Sequence, residues 1–232
     1  DLAEENLALS TKRAKGAEKR IYDWLVECQF PSEARKVIFD RARIGVGVMK
    51  GPFPKPKKSV SVSRQDNVIE IQIEEKITPA AKWVDAWNFF PDPSCGENIQ
   101  DGDFCVEEDY LSGRQLRKLK KLENQGYLPD QIDKVLKEGP EKAYVDNTNP
   151  NHKKEKDRYR VAYFYGTLKR EEFASVRPDL SKKLKEDQKE VYAIVTLVNT
   201  TVIRATINPL DSGEFPYHAV PWLRRPGHWA GI

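Results

Sequence analysis

Sulfur and imidazole are scarce in this chain: one methionine, three cysteines and three histidines among 232 residues. An odd number of cysteines cannot all pair within one chain. Cys28, Cys95 and Cys105 form no CxxC, and His152, His218 and His228 stand at no zinc spacing to them. Free thiols in a reducing compartment are the first reading, and a Cys95–Cys105 bridge the second. Long apolar runs are also missing. None approaches the ~20 residues that a membrane span needs, and no signal-peptide pattern is present. Net charge is small, at +3 from 39 bases and 36 acids. The total therefore gives no argument for a nucleic-acid binder, and charge must be weighed locally. The local signatures of catalysis are missing too: no GxSxG, no HExxH and no phosphate loop. Gly45-Val-Gly47 follows a helical pattern and reads as a helix-to-strand break rather than a dinucleotide fingerprint.

What is present is a globular composition on the polar side, 39% hydrophobic and 32% charged, and long enough to bury a core. Residues 2–29 carry Leu2, Leu7, Leu9, Ile21, Leu25 and Cys28 at helical spacing, with Gly16 as a weak point and Pro31 as the stop. Ser32 is placed to cap a second helix whose apolar face is Ala34, Val37, Ile38 and Ala42. GPFPKPKK, residues 51–58, reads as a loop. SVSVSR and VIEIQIEE alternate as a hairpin about QDN at 65–67. Residues 80–90 are a candidate extended stretch. DFCVEEDY predicts a strand, Ser112 caps a helix ended by Gly126, and PDQIDKVLKEG predicts another helix. The apolar-free run at 146–158 reads as an exposed loop. RYRVAYFYGTL is strand-like and the charged run after it partly helical. VYAIVTLV and TVIRATINP are the clearest strands, turning at Asn199–Thr200; the Pro-rich end reads as irregular. No internal repeat is present. The class is α+β: N-terminal helices packed on a mostly antiparallel sheet, with short helices in the middle.

Three sets of residues are candidates for function. The stretch from Trp83 to Tyr110 holds Asp85, Asp92, Glu97, Asp101, Asp103, Glu107, Glu108 and Asp109 without a single base. Asp101-Gly-Asp103 begins like a calcium loop, but Cys105 and Ser112 stand where that loop needs an acid or amide and then Glu. Glu107, Glu108 and Asp109 fall on a strand, where neighbours face opposite ways. A solvated turn is the plainer reading, and a metal-dependent hydrolase or nuclease using residues 85–109 is the alternative. Bases gather at 55–58, 117–121, 153–160 and 182–185, each in a loop or beside acids, without a nucleic-acid-binding motif. Of the five tryptophans, Trp24 reads as core, and Trp83 and Trp87 as flanking a sheet. Trp222 and Trp229, with Arg224 and Arg225, suit a subunit interface, although core packing is the default for large aromatics.

Four stretches, in order, resemble the portal proteins of tailed bacteriophages, in particular the large portals of short-tailed phages. They are FDRARIGVGVMKGPF (39–53), WVDAWNFFPDPSCGENIQDGDFCVEEDYLSGRQLRKL (83–119), YRVAYFYGTL (159–168) and VYAIVTLVNTTVIRATINPLDSGEFPYHAVPW (191–222). The resemblance covers most of the chain and carries no catalytic signature. It implies a non-enzymatic protein of the virion's portal vertex, found in the host cytoplasm during assembly, with no cofactor and no membrane. It implies a ring of about twelve subunits through which double-stranded DNA passes. It also implies contacts with capsid protein, scaffolding protein, terminase and head-completion proteins. This chain would be one wing-type region, 1–232, away from the DNA path, with two subregions, 1–145 and 146–232. Its start at Asp1 and its end directly after PGHWAGI read as those of a segment cut from a longer polypeptide.

Overall fold

The computed structural model describes residues 2–65, 68–122, 125–140, 158–185, 187–210 and 213–232, with the side chains of 2–5, 56–59 and 61–76 left aside. Positions 66 and 67 of the QDN turn at 65–67, and all but Arg158 of the loop expected at 146–158, lie outside these residues. The elements run α1 (Leu2–Glu27), α2 (Phe30–Ile44), β1 (Val46–Gln65), β2 (Val68–Val84), β3 (Phe89–Pro91), β4 (Phe104–Ser112), α3 (Gly113–Leu119), α4 (Pro129–Glu138), β5 (Arg158–Lys169), α5 (Arg170–Val176), α6 (Pro178–Ser181), β6 (Glu190–Val198), β7 (Thr201–Ile207) and β8 (Tyr217–Pro221). The fold is α+β, with helices at the N-terminus and antiparallel sheets after them. The chain forms two compact units, Asp1–Val84 with Pro216–Trp222, and Asp85–Phe215 with Leu223–Ile232. The division expected at 145/146 separates nothing, because β4 and β5, on either side of it, pair from Phe104↔Gly166 to Ser112↔Arg158.

In the first unit, α1 and α2 are parted by Gln29, in the left-handed region at φ 57°. Pro31 does not stop a helix; it sits in the first turn of α2, where its missing N–H is no loss. Ser32 is accordingly inside α2 and not its cap. The inner face of α2 is Glu33, Ala34, Val37, Asp40, Arg41 and Ile44, whereas Ile38 and Ala42 of the expected face are exposed. Two carboxylates can face inward because Trp83 of β2 satisfies both. Its N–H donates to Glu33 Oε2 and its indole Nε1–H to Asp40 Oδ2, each at 2.7 Å. Burial pushes the Glu33 carboxyl up, but hydrogen bonds from Lys36 and the Trp83 N–H outweigh it and hold it below the usual range.

Gly45, at φ 86°, ends α2, and the chain enters β1. The sheet order is β2-β1-β8, all antiparallel. Residues 51–58 are strand and not loop. Their prolines fit because Pro54 stands opposite Pro79. Two residues without N–H can face one another only as a non-hydrogen-bonded pair, in which the missing donors point to the outer edges of the ribbon. The register shifts between Lys50 and Phe53, and there the Gly51 N–H donates to Pro216 O at 2.8 Å. The C-terminal stretch, expected to be irregular, contains β8, which pairs with β1 from Val46↔Pro221 to Lys50↔Tyr217.

The second unit is a five-stranded antiparallel sheet, β3-β4-β5-β6-β7. Leu116 of α3 and Ile132 and Val135 of α4 pack with Tyr159, Val161, Val198 and Ile203. Phe173 of α5 packs with Ala193, Val195 and Ala205, joined by Phe164 and Leu168. These two sets alternate along β5, so α3–α4 cover one face and α5–α6 the other. With both faces covered, β6 is an almost unbroken apolar run. Ser112 caps α3 in a reciprocal capping box with Gln115. Asn199, left-handed at φ 53°, makes the two-residue turn between Val198 and Thr201.

Two glycine substitutions are expected to act in opposite directions. A Cβ at Gly47 would stand 2.2 Å from the backbone oxygen of Val37, prying α2 from β1. Gly47→Ala therefore lowers stability by about 1–3 kcal/mol. A Cβ at Gly16 meets nothing within 4 Å in the middle of α1. Gly16→Ala therefore stabilises that helix by up to about 1 kcal/mol. Denaturant unfolding followed by circular dichroism measures both.

Candidate assembly surface

The acidic segment is a self-supporting turn. Asp85 accepts the Trp87 N–H at 3.1 Å and so starts the 3₁₀ turn Ala86–Asn88. Asp92 is buried. Its Oδ1 accepts the Ser94 N–H and hydroxyl, both at 2.8 Å, and its Oδ2 the Asp103 N–H at 2.9 Å. These bonds, the Ser94 N–H first, hold its carboxyl below the ordinary range. Gly102 lies so close that a Cβ there would be 2.8 Å from Asp92 Cβ. Asn98 Nδ2 donates to Asp101 Oδ1 at 3.2 Å, and Glu97 Oε1 accepts the Gly227 N–H at 3.0 Å.

Along β4 the acids diverge as a strand requires. Glu107 is fully buried, Glu108 pairs with Arg160, and Asp109 accepts the Tyr110 N–H at 2.8 Å. Among the described residues, no three His, Cys, Asp or Glu side chains meet as a metal ion would need. No disulfide joins the three cysteines, and Cys95 and Cys105 are buried. Burial, followed by the Asp92 charge, pushes the Cys95 thiol up, away from reactivity.

The four residues expected at an interface find different settings. In the first unit Trp222 is half exposed; its N–H donates to Gly45 O at 2.8 Å, and the Arg41 guanidinium lies 5.3 Å over its ring. In the second unit Arg224 and Arg225 are exposed. Trp229 is half buried, meeting Phe89 edge-on at 5.8 Å and stacking with His228 at 6.2 Å. Trp229 is thus an anchor for its own segment, whereas Trp222, Leu223, Arg224 and Arg225 remain on the surface.

An extended apolar surface lies on α1, whose Trp24 was expected in the core. Every residue of α1 from Asn6 to Glu27 is exposed. Leu7, Leu9, Ile21, Tyr22, Trp24, Leu25 and Val26 all stand open, as do Ile38 and Phe39 on the outer side of α2. Trp24, expected inside, is 46% exposed. Helical periodicity shows that α1 carries apolar residues at helical spacing but not what covers them. Exposed apolar side chains in this number are uncommon on a monomeric protein. No helix among the described residues is long and apolar enough to cross a membrane. No protein-family model matches this sequence, and no curated protein matches it.

Asp92 gives a pH test with a definite sign. Its carboxyl titrates below the ordinary value of 3.8. The stability it contributes is thus present above that value and lost as pH falls through the lower, folded one. Asp92→Asn should melt well below the wild type at pH 7, and the gap should close as pH drops below about 4. A gap of constant size in melting scans from pH 7 to pH 2.5 would contradict this role.

Proposed function

We propose that this chain is a non-catalytic structural subunit of a ring assembly, of the portal type found at one vertex of tailed-phage capsids. The observation that carries this reading is α1, a helix of 26 residues in which every apolar side chain from Leu7 to Val26 is exposed. Such a surface has a purpose in an assembly and is a liability in a monomer. The kind of assembly is argued from the four ordered stretches that resemble portal proteins, and the α+β architecture is compatible with a wing region. In this reading the ring stands in the virion after assembly in the host cytoplasm. Capsid protein, scaffolding protein, terminase and head-completion proteins meet its outer and lower surfaces. Double-stranded DNA passes through the ring without direct contact from this chain.

The acidic segment gives no support to a hydrolase. Asp92 and Glu97 are engaged by backbone N–H groups, Glu108 by Arg160, and Glu107 points into the protein. Acid–base chemistry would need two carboxyls facing one space with separated proton affinities.

Electron microscopy of the complete polypeptide that carries this chain tests the proposal. Closed rings of uniform subunit number are expected. Monomers alone, under conditions where capsid protein assembles, would refute it.

A further inference from the structure

Exposed apolar side chains lie around α1, Leu9, Tyr22 and Val26 among them, and one seam of heptad spacing runs through them. Leu7, Ser10, Ala14, Ala17, Ile21 and Trp24 follow one another at steps of three, four, three, four and three, and all six are exposed. Alternating steps of three and four make a seven-residue repeat, which keeps one seam along a helix, as in coiled coils. The small residues in the middle let a partner backbone approach closely, and Leu7, Ile21 and Trp24 supply bulk toward the two ends. In heptad terms Leu7, Ala14 and Ile21 are a positions, and Ser10, Ala17 and Trp24 are d positions.

The flanking charges say which partner fits. Arg13 and Arg20 are g positions; Glu18 and Leu25 are e positions. In a parallel, in-register pair each g residue faces the e residue five places further along the other helix. Arg13 then faces Glu18, and Arg20 lies along Leu25. In an antiparallel pair with the same seam, g faces g, and Arg13 would meet Arg20 twice over. Within one helix Arg13 and Glu18 stand about 140° apart, so they are not neighbours on their own surface.

We infer that α1 packs parallel and in register against the α1 of a second copy of this chain, with Arg13 of each helix against Glu18 of the next. A rotation axis running along the helices generates this contact, whether the assembly closes at two copies or at more. The inference rests on α1 alone and does not require a portal.

Sedimentation equilibrium of the 232-residue chain tests it, with the wild type beside Arg13→Glu, Glu18→Arg, the double exchange and Ile21→Asp. The expected result is a wild-type mass that rises above the monomer with concentration. Each single charge reversal should weaken association several-fold, the double exchange should restore it, and Ile21→Asp should abolish it with an unchanged circular dichroism spectrum. A wild type that stays monomeric throughout, single reversals without effect, or a double exchange that fails to restore association would each overturn the inference. Rings that persist in the complete polypeptide carrying Ile21→Asp would overturn this helix pairing while leaving the ring reading intact.

Discussion

The first unit depends on one side chain and its own backbone N–H. Trp83 reaches α2 at two points, Glu33 and Asp40, seven residues and two helical turns apart. Two points on one face fix both the height and the rotation of a helix. Once α2 is fixed, Val37 lies over Gly47, where only a hydrogen fits. Ile38 and Phe39 are then turned outward, and α1, on the far side of Gln29, keeps every side chain from Asn6 to Glu27 exposed. The carboxylates are tolerated because each has a donor in place. A buried acid without one would raise its proton affinity and lose its hold.

The parts of the fold governed by local chemistry were legible from the residues. Ser112 with Gln115, Pro129 and Gly139 about α4, and Asn199 at its turn each act within a few positions of chain. The alternating and continuous apolar runs located β4, β5, β6 and β7 for the same reason. What was not legible depends on partners far off in sequence. Prolines 52, 54 and 56 look like a loop until Pro79 is known to stand opposite Pro54. Tyr217–Pro221 looks irregular until β1 offers an edge 170 places earlier. Asp40 looks like a surface acid until Trp83 is known to face it.

The candidate site follows the same rule in reverse. The acidic segment drew attention because its composition is unusual, yet its carboxylates are occupied in holding the turn and β4 together. The surface of greater consequence has ordinary composition. Leucines, alanines and a tryptophan at helical spacing look the same whether the cover is the same chain or a neighbour. Only a structure that leaves α1 uncovered separates the two.

The facing prolines of β1 and β2 have a consequence for crowding. Strands with bare edges tend to zip onto any similar edge nearby, the more so at high protein concentration. Pro54 and Pro79 leave gaps in the donor rows on opposite rims of the long ribbon. At these two positions the ribbon cannot offer a further strand a complete row of donors.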